Sequence, residues 1–439
     1  MGRAWGTRNV QRTSGRLTVS ERHDYWPSRW PAEDGGPRRL EQPRAGNGPA
    51  LEAGRVDVHS REVIAATMAV LRDPGEVFLL RHTLGADTIA WVERINPVTL
   101  EPLARSEDLP GGPMWPGGIA AHANGSLHVV FGNHAHRLDA DLQVAATREL
   151  PHDRPYNSFV VLPDGHLVTK NFGGRLPSDD PATTAHPAEL LVLDPDSLET
   201  VAQRALPEPS IARLSADGDI VYIVGTSTLF RAHWDGQQLT LDDAFTPRYR
   251  TIDGQSYGWD PVIALGAAWF LDNGEGSEHY AGTFRGQGRN RAPLHLVRVD
   301  LATRAVRLTE ICGLPNGLIA NPPAIDEQRR IAVGYDSGNG VLAAFDIAAD
   351  GTTTPRWRRE QNHACHPLLF PDTGELVTND HDASIMKEFV VVLDIETGTE
   401  RVRVESGGAV QSVVFPAAGF DRDFYSCSFS TITRVSARP

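Results

Sequence analysis

No run of about 18 apolar residues occurs anywhere in the 439-residue chain, so a membrane-spanning helix is not expected. Cysteine is scarce: Cys312, Cys365 and Cys427 lie far apart, are odd in number and form no CxxC pair. That argues against a disulfide framework and against a four-cysteine zinc site, and free thiols fit a reducing compartment. The start of the chain has no apolar h-region of a secretory signal, which makes the cytoplasm the expected location. Common catalytic signatures are missing as well: there is no GxSxG elbow, no Walker sequence and no HExxH. Gly111-Gly112-Pro113 and Gly117-Gly118 lack the strand-to-helix context of a dinucleotide fingerprint. Basic residues are outnumbered, 42 Lys and Arg against 56 Asp and Glu, for a formal net charge of -14. Such a surface repels phosphate backbones and disfavours nucleic acid. A small neutral or cationic ligand, or a metal, suits it better.

What is present is a turn-rich repeat. With 41 Gly and 31 Pro at 40% hydrophobic content, the composition fits an all-β chain. Residues 155–201 state the unit most clearly, as four short strands: NSFVVL, HLVTKNF, ELLVL and LETVA, the first two joined by Pro163-Asp164-Gly165 and the third ended by Asp-Pro-Asp-Ser. The same pattern can be laid out eight times from about Val56 to the end, at spacings of roughly 40 to 50 residues, which predicts a β-propeller forming one domain over 56–439. The last copy stops after its third strand. Residues 55–60 (RVDVHS) are expected to supply the missing outer strand, giving eight blades; seven result if the first copy and the last fragment merge.

Two segments depart from the repeat. Residues 1–55 hold ten Arg against six Asp or Glu and read as a partly disordered N-terminal arm, with Trp26 and Trp30 docking on one face of the ring or on a partner subunit in an oligomer. Residues 273–293, between the second and third strands of the fifth copy, read as a long loop that is either decoration or a lid.

In a propeller the first strand of each blade lines the central channel, so the residues that begin those strands converge at its mouth. They are Trp115-Pro116, Tyr156-Asn157, Ile211 with Arg213, Trp259-Asp260, Pro315-Asn316, Cys365-His366 and Gln411. Strand packing does not call for Asn, Asp, His or Gln at such positions, and polar groups gathered at one concave place mark a candidate site. Asn157, Asp260 and Asn316 offer oxygen ligands for a divalent metal, calcium first; with His366 as a further ligand the choice moves to zinc, manganese or iron. The structural alternative is that both Asn cap turns and Asp260 forms an Asx turn before Pro261. His366 and Asp260 are the catalytic candidates, and Trp115, Tyr156, Trp259, Arg213 and Gln411 the substrate-binding ones. Cys365 and His366 are strand neighbours on opposite faces and do not form a nucleophile–base pair.

PYNSFVVLPDGHLVTKN, and LPNGLIANPP with IAVGYDSGNGVLAAFDI, resemble blades of the gluconolactonase, regucalcin, paraoxonase and strictosidine-synthase group of propellers, which carry similar Pro-Asn and Pro-Asp-Gly elements. The resemblance implies that Asn316, and after it Asn157, bind a catalytic divalent metal, and it implies lactonase or esterase activity. The chain departs from that group in showing no counterpart of its N-terminal Glu ligand. The leading expectation is thus a small-molecule enzyme performing metal-assisted ester or lactone hydrolysis. A cyclase, isomerase or condensing enzyme using the same site is the nearest alternative. A non-catalytic protein-interaction propeller follows, and a quinone-dependent oxidoreductase ranks below it because no motif marks the cofactor.

Overall fold

Each copy of the repeat folds as an antiparallel sheet, and eight sheets close into a ring. The structure is a computed structural model describing residues 24–85, 87–176, 179–180 and 185–438. The inner strands of blades 1 to 8 are Ala66–Leu71, Gly118–Ala121, Tyr156–Val161, Ser215–Asp217, Val262–Ala264, Ala324–Asp326, Leu368–Phe370 and Phe415–Ala418. Outer strands such as Val144–Glu149 alternate between half-buried and exposed, whereas inner and middle strands are buried on both faces. Both faces are covered because apolar side chains of one blade interdigitate with those of the next. Val160, Val168, Leu190 and Val192 of blade 3, for instance, pack with Leu214, Val221 and Ile223 of blade 4.

Ring closure settles the blade number. Val56–Glu62 pairs antiparallel with Thr431–Ala437, in register from Val56↔Ala437 to Glu62↔Thr431. The N-terminus therefore completes the sheet whose other three strands come from the C-terminus, and the count is eight. Blade 1 gains a fifth strand, Leu109–Gly112, paired with Thr88–Ile95. Glycine is required there by close approach: a Cβ on Gly111 would lie 2.5 Å from the Thr88 carbonyl oxygen. Between third and fourth strands an Asx turn recurs, in which Asn96, Asp194, Asp300 and Asp394 each accept the amides two and three residues on.

The arm from Asp24 onward lies against the chain's own ring; the part before it lies outside the described residues. It travels round the underside, where the inner strands end, and touches every blade. Leu71 N–H donates to the Trp30 carbonyl, Ala121 N–H to Pro31, Ala216 N–H to Pro37, Ile263 N–H to Arg38 and Leu369 N–H to Glu41. Tyr25 Oη accepts Val161 N–H at 2.9 Å, and Gln42 Nε2 donates to the Ile325 carbonyl at 3.0 Å. Arg422 of blade 8 donates to the Pro49 carbonyl. Inner strand edges carry unpaired backbone groups that must find partners once buried, and the arm supplies them. The carboxylates of Asp372 and Glu375 then bind the amides of Gly48, Ala50 and Leu51 and hand the chain on towards its closing strand.

Candidate functional site in the central channel

Midway along the arm a single turn, Glu33–Gly35, enters the channel against the inner strands of blades 1, 2 and 8. Its two carboxylates meet the polar residues that begin the inner strands of blades 4 and 7. Glu33 lies 2.8 Å from Arg213 and 3.1 Å from Arg39; Asp34 lies 2.7 Å from Arg39 and 2.9 Å from His366 Nδ1. Arg213 also donates from its amide to Asp260 at 2.6 Å and from its guanidinium to the carbonyls of Pro116, Gly117 and Asn157. All these side chains are buried. Burial works to raise the Asp34 carboxyl, but His366 and Arg39 overcome it and hold the group well below the usual carboxylate range. Burial pushes Glu33 up against the opposing pull of Arg213 and Arg39.

Of the residues that begin the inner strands, Asn157, Arg213, Asp260 and His366 lie together around the arm turn. Asn316 is not brought there. It is exposed, in a left-handed conformation (φ 62), and its amide donates to Asn290 at the base of the 273–293 insertion. The inward position of blade 6 belongs to Asn321, wholly buried, whose Nδ2 donates to the Ala364 carbonyl. Asn157 makes the same bond to Ile211 across blades 3 and 4. Tyr156 is also turned away, because it alternates with Asn157 along the strand; its ring packs with Tyr25, Leu150 and Leu191 in the apolar layer between blades.

Two buried groups in the channel have oxygens with no hydrogen-bond partner, Asn157 at Oδ1 and Glu41 at both oxygens, while Asp260 Oδ2 lies 3.7 Å from Arg213 Nε and Asn321 faces the Tyr335 hydroxyl. Groups of this kind are rare in native interiors unless water, an ion or a ligand meets them. Burial and the fields of Asp34 and Asp260 push the Glu41 carboxyl well above its ordinary value. Glu33, Asp34 and His366 also lie close enough together to hold a metal. Arg39 and Arg213 already bind those carboxylates, and Arg213 holds Asp260 as well.

The mouth is covered. Trp115 of blade 2 stacks on Phe172 at 4.5 Å and, nearly parallel, faces Trp259 of blade 5 at 6.2 Å; Leu176, Ile211 and Phe284 complete the apolar cover. The insertion leaves blade 5 after Leu271 and crosses to blade 8, where nearly every bond falls on one residue. Gln411 receives Tyr280 Oη at its carbonyl and Thr283 Oγ1 and Phe284 N–H at its Oε1, and donates from its amide to Gly282 and from Nε2 to Asn362. Asp272 and Asn273 brace the base of this insertion through His295, Gln255, Ser256 and Ala292.

Glu33, Asp34, Arg39, Glu41, Asn321 and Lys170 were not singled out from the sequence. The arm residues sit in a Gly- and Pro-rich stretch without periodicity. Lys170 is fully buried at the end of a middle strand.

No protein-family model matches the chain, and no curated protein sequence does. Among solved structures, a europium-containing methanol dehydrogenase aligns with TM-score 0.61 at 10% identity, covering 91% of this chain and 89% of that one. A quinohemoprotein alcohol dehydrogenase from Comamonas testosteroni gives 0.60 at 10%, covering 92% and 80%. The computationally designed Ika8 protein gives 0.55 at 12%, covering 89% and 100%. Enzymes and a designed ring share the architecture, so these likenesses concern the fold alone. Among the described residues no helix is long and apolar enough to cross a membrane.

Proposed function

We propose that the protein is a small-molecule enzyme working in the channel beneath the lidded mouth, by metal-assisted hydrolysis of an ester or lactone. The observation that carries this reading is the buried oxygens of Glu41 and Asn157 that lack a hydrogen bond, donors of the kind a hard divalent cation such as calcium takes, with Asp260 and Asn321 as further buried oxygens of the channel. The carboxyl groups of Glu33, Asp34, Glu41 and Asp260 face the guanidiniums of Arg39 and Arg213. If all ionise, two negative charges are left for such a cation. Glu41, Asn157 and Asp260 would hold such an ion, and the chemistry it would supply there is polarisation of a carbonyl oxygen. The chain's own residues orient the substrate under Trp115 and Trp259, exclude water through the Gln411 latch, and set His366 towards Asp34 for proton transfer.

The resemblance to gluconolactonase-type blades implies a catalytic divalent metal as well, with Asn157 in the channel and Asn316 outside it. A europium-containing methanol dehydrogenase shares the architecture and, by its name, holds a metal. A reducing compartment fits too, as Cys312, Cys365 and Cys427 are free. Purified protein is expected to carry about one divalent ion per chain, and Glu41→Gln and Asp260→Asn to lose it together with roughly a hundredfold of esterase or lactonase activity. Metal-free wild-type protein, with hydrolysis unchanged in both variants, would refute the assignment. One observation favours a second reading, a non-catalytic interaction propeller: the channel is closed at both ends. That reading expects both variants to be silent and surface changes on the insertion to abolish partner binding.

A further inference from the structure

A cavity of about 480 Å³ opens on the mouth side of the ring where blade 1 meets blade 2, away from the channel. One wall is the fifth strand of blade 1, Leu109–Gly112, and the other seven blades have four strands each. Glycines let the chain approach its neighbours there. A Cβ on Gly132 would lie 2.1 Å from the Gly111 carbonyl oxygen, and a Cβ on Gly112 (φ 100) would lie 2.4 Å from Asn133 Oδ1. The first of these contacts sets the strand against blade 2, and the second leaves room for the Asn133 side chain.

Asn133 lines this cavity, is 8% exposed, and has a buried Oδ1 with no hydrogen-bond partner. Its backbone does the structural task instead, donating to the Gly111 carbonyl at 2.9 Å and accepting Leu150 N–H at 2.8 Å. A buried amide oxygen without a partner, at the wall of a cavity, calls for a donor from outside the chain. Three carboxylates face the same space. Asp87 and Asp153 are exposed and have no hydrogen bond or ion pair among the described residues, and Asp108 gives only Oδ1 to Arg105. No Lys or Arg lines the cavity. Nor are the acids gathered round one point: among the described residues the one group close enough together to share a metal is Glu33, Asp34 and His366. Negative charges spread along a cavity suit a ligand that spreads its positive charges along a chain. Half-buried Ile89 and exposed Pro110 add apolar surface on which the methylenes of such a chain can lie. The formal net charge of -14 draws a polycation towards the protein as a whole.

We propose that this cavity binds a linear aliphatic diamine or polyamine. Its ammonium groups pair with Asp87, Asp108 and Asp153, one of them also donates to the Asn133 amide oxygen, and its methylenes lie on Ile89 and Pro110. An ammonium carries three donors and no acceptor, and the cavity meets it with carboxylate and amide oxygens. The site lies outside the channel and needs no metal, so it and the hydrolytic reading stand or fall separately.

The test is isothermal titration calorimetry of the full-length protein with putrescine at neutral pH and low ionic strength. Saturable binding of one putrescine per chain is expected. Butylamine, which has one ammonium and leaves carboxylates unpaired, is expected to bind at least about tenfold more weakly. The double variant Asp87→Asn with Asp153→Asn is expected to lose at least about tenfold in putrescine affinity, and Asn133→Ala, which keeps its backbone bonds, about fivefold. The double variant Asp217→Asn with Asp219→Asn removes the same charge from an exposed turn of blade 4 and is expected to bind as the wild type does. All four substituted aspartates are exposed, so neither double variant endangers the fold. The proposal is overturned by an absence of saturable binding, by butylamine binding as tightly as putrescine, or by wild-type affinity in the Asp87 and Asp153 variant or in Asn133→Ala. Equal weakening in the two double variants also overturns it, because it would show attraction to net charge and no site.

Discussion

Replacement of Arg39 by methionine is expected to cost about 3–5 kcal/mol of stability, the range found when one member of a buried ion pair is removed and its partner left uncompensated. Arg39 is 2% exposed and its NH1 lies 2.7 Å from Asp34 and 3.1 Å from Glu33, while its Nε donates to the Leu214 carbonyl at 2.6 Å. Methionine fills much of the volume and supplies none of the charge. The Leu214 carbonyl then loses its donor, Asp34 keeps only His366, and Glu33 keeps only Arg213. Urea unfolding at neutral pH measures the loss, and a change below about 1 kcal/mol would show that the arm turn does not depend on this pair. Acid provides a second check with a definite sign. The folded-state pKa of Asp34 is depressed, so its contribution is complete above the unfolded carboxyl value of about 3.9 and is lost as pH falls through the folded one. Wild-type stability is expected to drop across that acid range more steeply than that of the methionine variant.

The arm is where sequence and structure part company, and the reason is physical. Blade strands announce themselves because a buried strand needs apolar residues and a hairpin needs Asp, Asn or Gly at fixed offsets. The turn at Asp164 and the recurrent Asx turns therefore give away the repeat, and with it the closing strand Val56–Glu62. A segment that follows the inner edges of eight blades has no such period. Its bonds to the ring mix backbone contacts at Trp30, Pro31, Pro37, Arg38 and Glu41 with side-chain contacts at Tyr25, Ser28, Arg39 and Gln42, in no regular order. Polar residues of the stretch from Ala32 to Gln42 consequently look like a solvated tail, although Glu33, Asp34, Arg39 and Glu41 are among the most buried charged groups in the molecule.

The site was legible in proportion to how directly it depends on strand alternation. Asn157, Asp260 and His366 were found because polar residues at the start of inner strands have no packing reason to be there. Tyr156 was misplaced by one position of the same alternation, and Asn316 by five residues, because the Pro-Asn element turns outward before the chain reaches the channel at Asn321. Lys170 escaped because a lone polar residue within a strand is unremarkable by pattern.

Glu388→Gln is expected to leave stability nearly unchanged at pH 5 and to raise it by several kcal/mol at pH 8.5. Glu388 is fully buried between blades 7 and 8, near the lid, and its field helps raise Tyr280. Asn379 Nδ2 donates to its Oε1 at 2.7 Å, but the contacts with Ser412 are long, 3.4 and 3.5 Å. Burial therefore prevails over these hydrogen bonds and raises the carboxyl to about 8. Between the unfolded value of about 4.3 and about 8, the unfolded chain has released this proton and the native protein still holds it. Stability must then fall as pH rises through that window, by an amount on the order of 4–5 kcal/mol. Glutamine is neutral at every pH and keeps the acceptor for Asn379, so the slope disappears. Lys170, with its pKa lowered to about 7, bends the profile the other way above neutrality, but it is present in both proteins and cancels when they are compared at one pH. Urea titrations of the pair at pH 5 and 8.5 read the difference directly. An offset that is equal at the two pH values would mean that Glu388 is already ionised in the native protein, with a cation or ordered water beside Ser412 supplying the missing partner.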